Sequence, residues 1–412
     1  MQLRRVAVTG VGAVSPFGVG ADILVNALYR GESGTVLVPE LRTIKGVRSH
    51  VAALVKGVDP GVIPRKQRRS MSRMSVYAVL ACREAFGQSG LPAECLSGGD
   101  MGVSIGSTID SIDTFQRFFE EYLAERDMEQ MRSTVFFQMM NHSCAFNVSQ
   151  ALGIEGRVIA PSAACSTGCQ AVGIGYEMIA FGKQEFMLCG GADEFHPLST
   201  ASFDIINAAT TGYNDRPHET PRPFDRDRDG IVCAEGSGIL LLESMESAEK
   251  RGAVILAEVA GFATASNPQN IADPSAASME VCMKKALADA GIGPNEVDYV
   301  NAHATATIQG DIEESRAICG VLGGDVPVSS LKGHLGHTMA ASGGLELIAT
   351  IAMMNRNCII PTLNLENPDE LCKKVNLVRK LEERPVRYAL KNNFALGGVN
   401  SSLVLRRYEN DK

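Results

Sequence analysis

No two cysteines of this 412-residue chain form a Cys-x-x-Cys pair, and their total of eleven is odd, so neither a zinc ribbon nor a disulfide framework is indicated. A positive excess is missing as well. With 39 Lys and Arg against 47 Asp and Glu the net charge is -8, which argues against nucleic acid as the main partner, because binding phosphate needs a basic surface. Long apolar runs are also lacking. No stretch approaches the roughly 18 residues of a membrane span, and Met1 to Gly10 reads as a strand rather than a charged leader with a cleavable apolar core. These absences predict a cytoplasmic protein that uses no membrane and no nucleic acid.

The 45% hydrophobic and 21% charged content suits a chain that buries a large core in two or three domain-sized units. Cys82, Cys189, Cys282 and Cys358 fall in apolar stretches and read as small core residues. Short β-branched runs alternate with longer helical patterns, which predicts α/β layers whose strand-to-helix turns carry the chemistry. Strands are expected at Val6–Thr9, Met101–Ile105, Phe186–Cys189, Gly238–Glu243, Ile255–Ala263, Tyr299–Ala302 and Ser402–Leu405, and helices at Ser72–Ser89, Ser111–Met131, Gly168–Phe181, Ala277–Ala290 and Gly343–Asn355. Two weak internal echoes, Gly236–Leu242 with Gly398–Leu405 and Pro161–Phe181 with Val328–Met353, suggest two halves, 1–250 and 251–412, joined near Glu249-Lys250-Arg251-Gly252. The Pro-, Arg- and Asp-rich segment Thr211–Gly230 reads as an ordered charged loop, either solvated or packed at a site entrance.

Three turns stand out. In Ser162-Ala163-Ala164-Cys165-Ser166-Thr167-Gly168-Cys169 a cysteine sits at a strand-to-helix turn, where unpaired N–H groups and the helix dipole favour a thiolate and the Cys165 N–H suits half of an oxyanion hole. Taken alone, such a cysteine is more often a buried structural thiol, and Cys169 reads as packing. In Asn301-Ala302-His303-Ala304-Thr305-Ala306-Thr307, followed by Asp311 and Glu314, two hydroxyls line one side of an extended segment and suit the amides of a long substrate arm. The third, Lys332-Gly333-His334-Leu335-Gly336-His337, leads into a small-residue helix start, and Lys332 is expected to pair with Glu314 or Asp311. A glycine turn at Asn392–Asn400 could supply a further N–H donor.

One Cys and two His on separate strand-to-helix turns make up the set that decarboxylative condensation needs. With Pro223–Gly230, Ala234–Gly238 and the Gly397-Gly398-Val399-Asn400 turn, the chain resembles the β-ketoacyl-[acyl carrier protein] synthases I and II along nearly its whole length. The resemblance implies the thiolase fold, with two similar α/β halves, mixed five-stranded sheets and a helix–sheet–helix–sheet–helix stack. It implies an acyltransferase that joins malonyl-carrier to a Cys-bound acyl chain in fatty-acid or polyketide synthesis, with acyl carrier protein as partner, as a homodimer or a ketosynthase-like heterodimer. No cofactor or metal is implied beyond the phosphopantetheine that arrives on the carrier.

By the same likeness Cys165 is the nucleophile, and His303 and His337 face the malonyl thioester oxygen, with Lys332, Glu314 and Asp311 holding their geometry. His337 is preferred over His334. Cys165 and Leu396 supply the oxyanion hole; Thr305, Thr307, Phe394 and Asn400 meet the substrate; Ile109 and Phe203 match acyl-pocket positions; and Lys66, Arg68 and Arg69 match carrier-docking positions. The family usually has Gly where Ala304 and Ala306 stand, and Gly-Phe where this chain has Ala395-Leu396, which points to altered chain selection. A thiolase would need a second reactive cysteine that Asn392–Asn400 lacks, and a starter-type synthase an Asn in place of His337. A non-catalytic chain-length partner of another ketosynthase is the alternative.

Overall fold

In a computed structural model the chain is described over residues 3–129 and 131–409. Met1 and Gln2 of the expected N-terminal strand, Gln130 of the expected Ser111–Met131 helix, and the last three residues of the second half lie outside these limits.

Ten strands and seven helices frame the site: β1 (Val6–Ser15), α1 (Arg73–Ser89), β2 (Met101–Gly106), α2 (Ile112–Glu125), α3 (Ser143–Leu152), β3 (Val158–Ile159), α4 (Thr167–Ala180), β4 (Phe186–Asp193), β5 (Gly236–Ser244), β6 (Ala257–Ser266), α5 (Ala276–Ala290), β7 (Tyr299–Asn301), α6 (Ile308–Leu322), β8 (Pro327–Ser329), α7 (Ala341–Arg356), β9 (Tyr388–Ala395) and β10 (Val399–Arg406). The strand order is β3-β2-β4-β5-β1 in the first half and β8-β7-β9-β10-β6 in the second. Relative to chain order both read 3-2-4-5-1, and in both the first two pairings are parallel and the last two antiparallel. The two echoes therefore sit at equivalent places, β5 with β10 and the β3–α4 turn with the β8–α7 turn. The two sets of five strands join edge to edge where Val6–Val8 pairs antiparallel with Ala257–Val259, and Asn376–Leu377 beside β8 and Gly18–Val19 beside β1 bring the joined sheet to twelve strands among the described residues.

Helices α1 and α3 cover the outer face of the first sheet, α5 and α6 that of the second, and α4 and α7 lie between the sheets, giving the expected five layers. Burial on both faces explains why β5 (GSGILLLES) shows no polar alternation and is buried along its whole length. It also explains why α7 is apolar almost all round.

Strand β1 runs well past the expected Thr9 because Gly10 and Gly12 do not end it. A Cβ on Gly10 would lie 2.0 Å from the Ala85 carbonyl oxygen, so these glycines mark the close seat of α1 rather than a turn. Helix α2 stops at Glu125 because Arg126 turns left-handed at φ 53 and donates its N–H to Tyr122 at 2.6 Å. All eleven cysteines are free, and Cys358 is half-buried rather than core.

The small residues of the two catalytic-looking turns have a packing reason that the sequence did not show. A Cβ on Gly168 would lie 2.2 Å from the Ala340 oxygen, and one on Gly343 would lie 2.2 Å from the Cys169 nitrogen, so the N-termini of α4 and α7 meet backbone to backbone. Gly343→Ala is expected to cost about 1–3 kcal/mol by overpacking. Gly87→Ala, on a helix surface with open space around it, should be neutral or stabilising. Urea unfolding of the two variants checks this, and equal midpoints would show that the approach is not tight.

Candidate active site

Cys165 stands where β3 gives way to α4, on a turn that begins with Ala164 at φ 48. A left-handed alanine costs about 1 kcal/mol, and here it aims the next side chain into a cleft. His303 follows β7 and His337 follows β8, each just ahead of its helix. The Cys165 Sγ and one ring nitrogen from each histidine all lie within 4.8 Å of one another. The two imidazoles meet edge to face, with centroids 5.3 Å apart at 82°. They open onto a cleft of ≈ 460 Å³ that Thr305, Thr307, Phe394, Leu396, Asn400 and Phe203 also line.

Burial pushes the Cys165 thiol up to about 11, opposed by Lys332 and by the N–H groups of Cys165 and Leu396, both of which face the sulfur. The expected bias to thiolate at the helix start is therefore outweighed by desolvation. Those two N–H groups are nevertheless converged as an oxyanion hole requires. The Cys165 carbonyl is held from the second half, by Asn393 Nδ2 at 3.2 Å and Ser342 Oγ at 3.4 Å.

Burial first, and then the ammonium of Lys332, holds both histidines well below their ordinary pKa of 6.5, so both are neutral. Among the described residues, Nδ1 of His303 and both ring nitrogens of His337 have no hydrogen-bond partner. His334 differs, since its ring nitrogens lie 3.1 and 3.0 Å from the carbonyls of Glu32 and Pro361, which makes it a tie between loops.

Glu314 accepts the N–H groups of His303 at 2.8 Å and Ala304 at 2.6 Å and so fixes the His303 turn. The expected pairing of Lys332 with Glu314 or Asp311 is not found. Lys332 Nζ lies 2.7 Å from Glu346, whose other oxygen is 2.6 Å from Lys391 Nζ, with all three side chains at most 1% exposed. Asp311 instead accepts the N–H of Phe224 at 2.8 Å and of Ala306 at 3.2 Å and sits 3.5 Å from Arg228. It ties the charged loop to the His303 turn and does not reach the histidines. That loop is packed rather than solvated, for Arg228 and Asp225 are buried and Asp229 and Gly230 line the cleft. Ala306 has a φ of 68, a conformation glycine takes freely.

Asp110 turns left-handed at φ 56, and Ile109 is left 52% exposed, off the cleft lining. Of the expected docking residues, Arg69 lines an open groove of ≈ 1240 Å³ together with Arg65, Arg117 and Arg132. Lys66 lies off that lining, and Arg68 Nε donates to the Ile63 carbonyl at 2.9 Å. Glu346, Lys391 and Asn393 were missed by the sequence reading.

One cysteine and two histidines are also a soft donor set of the kind zinc takes. Burial keeps the imidazoles neutral, and the field of Lys332 and Lys391, which adds to it, opposes a dication at the same place.

Two halves of one topology, the first bringing the Cys165 turn and the second the His303 and His337 turns to a shared cleft, define a condensing enzyme on the thiolase fold. More particularly, the chain belongs to the β-ketoacyl synthase family, whose N-terminal domain matches residues 3–248 and whose C-terminal domain matches residues 256–366. It is 35% identical to 3-oxoacyl-[acyl-carrier-protein] synthase 2 of Vibrio cholerae over 99% of this chain and 100% of the relative. The crystal structure of a β-ketoacyl synthase from Burkholderia phymatum superposes with a TM-score of 0.95 at 41% identity, covering 98% of this chain and 100% of that one. A type II polyketide ketosynthase, solved with its acyl-carrier protein and bound to the hexaketide, gives 0.91 at 31%, covering 99% and 100%. Among the described residues no helix is long and apolar enough to cross a membrane.

Proposed function

We propose that this chain catalyses decarboxylative Claisen condensation between malonyl-carrier and an acyl chain held on Cys165, with the phosphopantetheine arm of an acyl carrier protein lying along Thr305, Thr307 and Asn400. The observation that carries this reading is the convergence of the Cys165 sulfur and both histidines within 4.8 Å on one cleft.

In the first half-reaction the sulfur of Cys165 attacks the acyl thioester and the carrier leaves as its thiol, taking up the proton that the cysteine gives up through a neutral imidazole. In the second, malonyl-carrier places its thioester oxygen against His303 and His337. The bond to the carboxylate breaks, carbon dioxide leaves, and the electron pair becomes an enolate whose charge the two rings receive. The enolate carbon attacks the acyl carbonyl, the resulting oxyanion faces the N–H groups of Cys165 and Leu396, and collapse frees the cysteine. A carrier is acidic, and the arginines of the open groove (Arg65, Arg69, Arg117 and Arg132) suit its docking better than Lys66 or Arg68.

Purified protein given acyl-carrier and malonyl-carrier should release one carbon dioxide for each 3-oxoacyl product formed. No release, together with activity that appears only on adding a second ketosynthase, would assign the chain to the non-catalytic partner role instead.

Leu396 lies on the cleft wall, 40% exposed, where the family usually has a phenylalanine. A larger ring there leaves less room for the acyl tail. Leu396→Phe is expected to shift the ratio of kcat/KM for long over short acyl-carriers by about tenfold toward the short ones. Identical length profiles would remove Leu396 as a selector.

A further inference from the structure

Lys391 is a lone charge in the middle of β9, fully buried, and its partner is Glu346 on α7. Its Nζ also donates to the Asn392 carbonyl. Glu346 therefore meets two ammonium groups, Lys332 at 2.7 Å on one oxygen and Lys391 at 2.6 Å on the other. One negative charge against two positive ones leaves this buried triad with a net positive charge. Lys332 alone with Glu346 would be neutral.

Resting on the condensation mechanism above, we propose that Lys391 is a positioning residue of the site: by taking half of Glu346 it leaves Lys332 incompletely neutralised, so that a standing positive field faces the two histidines and the place where thiolate and enolate charge develops. The field acts through space, since the polar partners of Lys391 are Glu346 and the Asn392 carbonyl. Both imidazoles are lowered by it, after burial and Lys332. The other charges that face the triad are few. Glu314 approaches from α6 and is spent on the N–H groups of His303 and Ala304. The Cys169 thiol on α4 and the Tyr299 hydroxyl on β7 also feel the triad, and burial raises the pKa of both, so they stay neutral at working pH. Within the site His303 and His337 also oppose each other's protonation, and the Cys165 thiol is the remaining titrating group.

The arithmetic of charge gives a test that a purely structural lysine would not pass. Lys391→Met makes the triad neutral, whereas Lys391→Met with Glu346→Gln leaves Lys332 alone and restores one net positive charge. Carbon dioxide release by the purified full-length variants, followed from pH 5 to 9, should show the acid limb of Lys391→Met moved upward by about one unit, a roughly tenfold loss at low pH and little at high pH. In the double variant the limb should return toward the wild type. Imidazole titrations by NMR with labelled histidine, assigned through His334→Asn and the other single replacements, should show His303 and His337 moving the same way. An equal loss at every pH, unmoved imidazoles, or a double variant no better than the single would overturn the proposal. The imidazole titrations are read without turnover, so if the wild type released no carbon dioxide the condensation reading would fail while Lys391 was still judged. Should Lys391→Met not fold, Lys391→Gln, which removes the charge but keeps a donor toward Glu346 and the Asn392 carbonyl, carries the same comparison against wild type.

Discussion

His303→Ala is expected to slow carbon dioxide release from malonyl-carrier by about 10²–10³-fold, the usual cost of removing one donor from a site of developing oxyanion charge. Transfer of an acyl chain to Cys165 should persist at a reduced rate, because His337 and the N–H groups of Cys165 and Leu396 remain beside the sulfur. Single-turnover assays of the two half-reactions check this, and a loss confined to acyl transfer would show that the ring acts on the cysteine alone. The pH dependence has a definite sign. Both imidazoles lie well below 6.5 in the fold, through burial and then Lys332, so the wild-type rate should not fall as pH drops through that value. On unfolding the rings return to about 6.5. Below that pH the unfolded chain binds more protons than the native one, and these two groups make stability fall as pH is lowered.

The second large effect belongs to Glu346→Ala. This change strands two buried ammonium groups that now share one carboxylate. Removing one member of a buried ionic group costs about 3–5 kcal/mol, because the charge left behind is desolvated without compensation. Urea unfolding should show a loss of that size, and removing one stranded ammonium as well, by adding Lys391→Met, should recover part of it. A loss under about 1 kcal/mol would mean that water reaches the triad.

Cys165, His303 and His337 were legible in the sequence for a physical reason: each stands among small residues between a short apolar strand and a helix, a setting that buries a side chain at the layer boundary while leaving it facing a cleft. The duplicated topology was visible only as two short echoes, because what repeats is the strand order and not the residues. The charge network was misread. Lys332 is expected from charge alone to pair with Glu314 or Asp311, but its partner Glu346 lies on the next helix, and the better signal is composition. Glu346 is the one charge within the apolar run Leu345–Met354 and Lys391 the one charge in β9, and a lone charge in a buried run must find an opposite charge. The glycines of β1 and of the helix starts mark where backbones touch, which sequence alone does not display because the touching partner is far along the chain.

The most direct test of the convergence of Cys165, His303 and His337 is to isolate the acyl-enzyme, confirm the site of the added mass by peptide mapping, and then add malonyl-carrier while following intact mass and carbon dioxide together. The acyl mass should sit on Cys165 and leave it in step with one carbon dioxide and one 3-oxoacyl-carrier. Acyl mass on another residue, or carbon dioxide released from malonyl-carrier while the acyl group stays on the protein, would contradict the account.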